Sequence, residues 1–134
     1  FATVFIGCIS HPAKRLDYVL AGHEEPIFIN SKGVQQNLEV TGPAIGLFPE
    51  AEYTMKSLFF DEDSILVGYS DGVVDARCPE GTSYGYQRLL DLVQDMQKRK
   101  ISAKILKNEI VRDLDAHMKN AEQFDDITIA TVIL

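Results

Sequence analysis

The spacing of apolar residues changes character once along this chain, around Cys78-Pro79-Glu80-Gly81, and that change restricts the fold more than any other feature. Before it, short apolar or alternating runs rich in β-branched and aromatic residues predict strands. Phe1 to Ile9 reads as a buried strand, and Leu16 to Leu20, beyond the break at His11-Pro12, as its hairpin partner. Ile27-Phe28-Ile29, a short polar stretch from Val34 to Val40, Glu52 to Phe60 and Ser64 to Tyr69 continue the series. Thr41 to Glu50 holds Gly42, Pro43, Gly46 and Pro49, which no regular element tolerates, so it reads as a loop. After the change the period becomes helical. Leu89, Leu92, Val93 and Met96 share one face of a helix from about Tyr86 to Arg99. Ser102 is placed to cap a second helix carrying Leu106, Ile110, Leu114 and Met118. Asp125 to Leu134 closes the chain as a strand, apolar on both faces as in the middle of a sheet. Strands grouped before helices predict an α+β layered fold rather than alternating βαβ units.

With 134 residues, 46% of them hydrophobic and 25% charged, the chain suits one globular domain. The net charge of −7 argues against nucleic-acid binding, which needs a basic face to neutralise phosphates. Most basic residues fall between Arg88 and Lys119, where a solvated helix surface is the simpler reading. No apolar run is long enough to cross a bilayer and no signal peptide is visible, so the cytoplasm is the expected location. Cys8 and Cys78 are the only cysteines and lie outside any Cys-x-x-Cys spacing; they read as buried thiols or, alternatively, as one disulfide. The chain opens without methionine on the run Phe1-Ala2-Thr3-Val4-Phe5-Ile6, which reads as the middle of a fold.

Two acidic sites carry the chemistry. Asp71 lies where the apolar run Ile65-Leu66-Val67-Gly68-Tyr69 ends at Gly72, and Asp125-Asp126 precede the last run. Carboxylates at strand ends are held by rigid elements with their oxygens at the rim, and Mg²⁺ or Mn²⁺ favours such ligands. The plainer alternative is that Asp-Gly forms a turn and that Asp125-Asp126 cap a loop. His23 reads either as a general acid or as a histidine bonded within the turn after Gly22. His11 and His117 have no partner visible in the sequence, and no zinc pattern occurs. Ser70 lacks a nucleophile elbow, and Asp61-x-Asp63 lacks the remainder of a calcium loop.

Four segments, in order, resemble metal-dependent (PPM, type 2C-like) serine/threonine phosphatases of the stage II sporulation and sigma-factor-regulator branch. They are Ala21-Gly22-His23-Glu24-Glu25-Pro26, Gly42-Pro43-Ala44-Ile45-Gly46-Leu47, Tyr69-Ser70-Asp71-Gly72 and Phe124-Asp125-Asp126-Ile127-Thr128. Ser83-Tyr84-Gly85 falls where the family places an aromatic-glycine pair before a helix. The resemblance covers essentially the whole chain. It implies a layered α-β-β-α sandwich, of which this chain is the C-terminal portion: several antiparallel strands, two helices, a final strand, and a strand or two of the other sheet. It makes Asp71 and Asp125 metal ligands, with Asp126, Gly72 and His23 in supporting places. It implies a two-metal centre of Mn²⁺ or Mg²⁺ whose bridging hydroxide attacks phosphoserine or phosphothreonine on an anti-anti-sigma-type protein. An upstream sensor or receiver domain is implied as well. The family's first-half aspartate motifs are absent from these residues, so the chain alone is expected to be weakly active or inactive. The alternative expectation is a non-catalytic phosphatase-like module that binds a protein, or a second copy of itself, through an exposed strand edge.

Overall fold

The computed structural model describes residues 1–134. The chain runs through β1 (Val4–Ser10), β2 (Arg15–Ala21), β3 (Ile27–Ile29), β4 (Gln35–Gln36), β5 (Lys56–Phe59), β6 (Ile65–Tyr69), α1 (Asp71–Val74), α2 (Tyr86–Lys98), α3 (Ala103–Met118) and β7 (Ile129–Ile133). β1 and β2 form the expected hairpin, in register from Val4↔Ala21 to Ser10↔Arg15, and β5 pairs with the other side of β2. The remaining strands make a second antiparallel sheet in the order β4-β3-β6-β7.

The two sheets meet through Leu16, Tyr18 and Leu20 of β2, Phe28 of β3 and Leu66 of β6. The opposite face of the second sheet, with Ile27, Ile29, Ile65, Val67 and Tyr69, packs on Leu89, Val93 and Met96 of α2 and Leu106, Ile110 and Leu114 of α3. Strands β3 and β6 are therefore covered on both faces, which explains their uninterrupted apolar sequence. Burying each such side chain contributes roughly 1.5–3 kcal/mol. Ser102 caps α3 as expected, its hydroxyl accepting from the Ile105 N–H at 3.3 Å.

The layered α+β expectation holds, but with three helices rather than two and three strands of the other sheet rather than one or two. Within this chain helices cover only one face of the sandwich. The outward face of β1-β2-β5 is bare, leaving Ile6 60% and Phe59 69% exposed. For the same reason Phe1 to Ile9 is not a buried strand: β1 has one partner, lies at a sheet edge and is half-buried to exposed along its length. The run from Val34 to Val40 yields only the two residues of β4 because its later N–H groups bond elsewhere. Leu38 donates to the Glu25 carboxylate (2.8 Å) and Glu39 to the Tyr18 hydroxyl (3.0 Å). Glu52 to Phe60 is strand only from Lys56. The last strand is an edge strand, not a central one. Its two apolar faces arise because it lies between layers, Ile129 and Ile133 packing toward the helical core and Val132 toward the other sheet. Both cysteines are free, Cys8 exposed and Cys78 half-buried, so neither the buried-thiol nor the disulfide reading holds. No helix is long and apolar enough to cross a membrane.

Candidate metal centre

Strand β6 is interior to its sheet and ends at Tyr69; Asp71, two residues later, opens the single helical turn α1. Asp125, at a bend, and Asp126 lie in the irregular segment that leads into β7, not in the strand itself. The β6–β7 ladder ends at Tyr69↔Ile129, and pairing continues one step further where the Ser70 N–H donates to the Thr128 carbonyl at 3.1 Å. Beyond that point the two segments are joined by side-chain bonds. The Ser70 hydroxyl donates to the Asp126 carbonyl at 2.8 Å and accepts from the Thr128 N–H at 2.9 Å.

Gly72 sits directly on this join. A Cβ there would fall 2.3 Å from the Asp126 carbonyl oxygen and 3.3 Å from the Asp125 carbonyl carbon. Only a residue without a side chain lets α1 approach so closely. The backbones of Asp71-Gly72 and Asp125-Asp126, remote in sequence, are thereby brought to one end of the second sheet. The three aspartates are exposed there.

The two aspartates are oriented in the same local way. Asp71 Oδ1 accepts from the Gly72 N–H (2.9 Å), and Asp125 Oδ1 accepts from the Asp126 N–H (2.7 Å). Their Oδ2 atoms have no hydrogen-bond partner in the protein. No ion pair reaches Asp71, Asp125 or Asp126, although seven form elsewhere in the chain. Uncompensated carboxylates with free oxygens suit a hard divalent cation in kind. They do not suffice in number, since nowhere do three His, Cys, Asp or Glu side chains come together closely enough to hold an ion.

A cavity of about 80 Å³ opens beside Asp71, lined by Thr3, Gly22, His23, Glu24, Ser70 and Asp71 and by no apolar side chain. A second, of about 180 Å³, shares His23 and Ser70 and adds Phe5, Gly68, Tyr69, Thr128 and Ala130. His23 Nδ1 lies 3.0 Å from the Glu24 carbonyl. A carbonyl only accepts, so Nδ1 carries the proton in that bond. Burial, with the Glu24 carboxylate as a lesser cause, pushes the Tyr69 phenol up so that it stays protonated. Thr3 and Glu24 reach the cavity without any motif to mark them. Ser70, inert as a nucleophile by sequence, turns out to join the two acidic segments.

The family model for Stage II sporulation protein E (SpoIIE) matches residues 1–133. The chain belongs to the SpoIIE family. It is 39% identical over 133 residues to Protein IcfG of Synechocystis sp., covering 98% of this chain and 20% of that protein. It is 36% identical over 113 residues to phosphoserine phosphatase RsbP of Bacillus subtilis, covering 84% of this chain and 26% of RsbP. This SpoIIE-family chain thus spans about a fifth and a quarter of those two relatives. Among solved structures, the SiaA PP2C domain of Pseudomonas aeruginosa superposes with a TM-score of 0.82 at 18% identity, over 97% of this chain and 50% of that one. RsbX in complex with magnesium superposes with a TM-score of 0.64 at 16% identity, over 96% and 54%. The fold is that of PP2C phosphatase domains, and the family resemblance drawn from the four motifs holds.

Proposed function

We propose that this chain is the C-terminal portion of a metal-dependent protein phosphatase domain, completed by sequence upstream of Phe1. Its reaction is hydrolysis of phosphoserine or phosphothreonine on a regulatory protein of the anti-anti-sigma type, in the cytoplasm, under control of an upstream sensor or receiver domain. The observation that carries this reading is the join described above, in which Ser70 and Gly72 seat Asp71 against the Asp125-Asp126 segment. The phosphoserine phosphatase activity in the name of RsbP supports the reaction, and the magnesium complex of RsbX supports a divalent metal.

Asp71 and Asp125 are the residues that would hold Mn²⁺ or Mg²⁺, each through the carboxylate oxygen its local N–H leaves free. When bound, such ions activate water and neutralise charge on the phosphoryl group. Asp126 supplies a backbone carbonyl to the join and keeps its own carboxylate at the same rim. Gly72 permits the close approach. His23 lines the cavity with Nε2 unpartnered and would serve either as a proton donor to a departing serine oxygen or, through its Nδ1 bond to the Glu24 carbonyl, only as a support of the turn. With only part of a near-octahedral ligand set, residues 1–134 alone are expected to be weakly active or inactive. The test is Mn²⁺-dependent hydrolysis of a phosphoprotein by the chain extended upstream, beside Asp71→Ala and Asp125→Ala. Each substitution is expected to lower the rate at least about 100-fold. An unchanged rate in Asp71→Ala overturns the reading.

A second reading rests on the bare outward face of β1-β2-β5: a non-catalytic module that pairs with a protein partner through this face and the β1 edge. An extended protein without metal-dependent hydrolysis, yet retaining partner binding that Ile6→Lys abolishes, would favour it.

A further inference from the structure

We propose that Ser70 is a positioning residue for the metal centre, its hydroxyl holding the Asp71 turn and the Asp125-Asp126 segment in one geometry. The inference rests on the assignment of those aspartates to a metal and names the device that brings them together. In an antiparallel pair the Ser70 carbonyl would ordinarily accept from the Thr128 N–H, reciprocating the bond from the Ser70 N–H to the Thr128 carbonyl. Here that carbonyl is taken, because it accepts from the Val73 N–H at 3.0 Å to start α1. The hydroxyl replaces it, accepting from the Thr128 N–H while donating to the Asp126 carbonyl. A serine at the first position before a helix usually caps that helix through its oxygen; this one makes no such bond, its oxygen accepting from Thr128 and its proton going to the Asp126 carbonyl. One side chain thus lets the strand turn into the helix that carries Asp71 without releasing the chain that carries Asp125. Alanine would leave the Thr128 N–H and the Asp126 carbonyl to water. Threonine keeps the hydroxyl.

The test uses the chain extended upstream, which supplies the remaining ligands, with Mn²⁺ alone, read by paramagnetic broadening of backbone amide signals, together with hydrogen exchange at the Thr128 amide. In the wild type the amides around Asp71 and Asp125 are expected to broaden together over one range of Mn²⁺ concentration. In Ser70→Ala that range should rise about 10- to 100-fold, as for other groups that orient metal ligands. The Thr128 amide should exchange faster, and Ser70→Thr should restore both readings. Unchanged Mn²⁺ response in Ser70→Ala, with or without faster exchange at Thr128, overturns the proposal. If Asp71→Ala leaves the wild-type broadening intact, or none occurs, the metal assignment itself fails. The Thr128 exchange then shows the Ser70 bonds to be purely structural, which also overturns the positioning role.

Discussion

Gly72 and Gly68 lie four residues apart on the same stretch, yet their surroundings differ completely. A methyl group at Gly68 would find its nearest neighbour, the Ala130 Cβ, at 4.0 Å, whereas at Gly72 it would strike the Asp126 carbonyl oxygen at 2.3 Å. Backbone cannot rotate away as a flexible side chain can, so Gly72→Ala must displace either α1 or the Asp125-Asp126 segment. It is expected to cost about 1–3 kcal/mol in urea denaturation and to abolish the shared Mn²⁺ response of the two segments. Gly68→Ala is the matched control, expected to stay within about 0.5 kcal/mol of wild type. Gly22 is constrained differently: its φ of +64° and the Ala44 backbone 2.8 Å from a would-be Cβ set the turn that brings His23 to the cavity.

Helices α2 and α3 are joined outside their apolar seam by a polar cluster. Arg88 grips Asp113 with two bonds (2.8 and 2.9 Å), and the Tyr84 hydroxyl donates to the same carboxylate at 2.7 Å. His117 bridges Arg88 and the Thr82 carbonyl, tying α3 to the loop that follows α1. Arg88 holds the Asp113 carboxyl below its ordinary 3.8, with Tyr84 assisting and burial opposing. Folded Asp113 therefore gives up its proton more readily than unfolded Asp113. The stabilisation is complete above that ordinary value and is lost as the pH falls through the lower, folded one. Asp113→Asn is expected to cost about 1–2 kcal/mol at neutral pH. In urea melts the gap from wild type should narrow as the pH drops below about 3.8. The apolar seam itself is tested by Ile110→Ala, fully buried in the wild type, with an expected loss of about 2–5 kcal/mol.

At the scale of the whole molecule, the β-β-α arrangement leaves the sheet β1-β2-β5 covered on one side only. Ile6, at the open β1 edge, and Met55 and Phe59, on the β5 side, stand out from it, 60%, 67% and 69% exposed. Apolar surface next to an unpaired edge favours self-association, which the net charge of −7 opposes only weakly at physiological salt. Residues 1–134 alone are expected to sediment as a mixture of monomer and larger species. Ile6→Lys should shift that mixture toward monomer while changing stability by less than about 0.5 kcal/mol, since the side chain it replaces is already solvated.

The positions of α2 and α3, the β1–β2 hairpin, the Ser102 cap and the α+β class were legible in the sequence, because each depends on local periodicity or on groups three or four residues apart; the single turn α1 is too short to show a period. The motifs at Gly22-His23, Ser70-Asp71-Gly72 and Asp125-Asp126 could also be read there, as candidates by residue type and by family resemblance. Which strands lie at edges was not legible. β7 looks central because its apolar sequence records two covered faces, not how many neighbours the strand has, whereas β1 is apolar even though its outward face is bare. Nor could spacing show that Ser70 gives its hydroxyl to a segment 56 residues away, or that Gly72 is glycine for want of room against Asp126. Those contacts exist only once β6 and β7 pair, so tertiary structure alone decides that the two acidic sites share one rim.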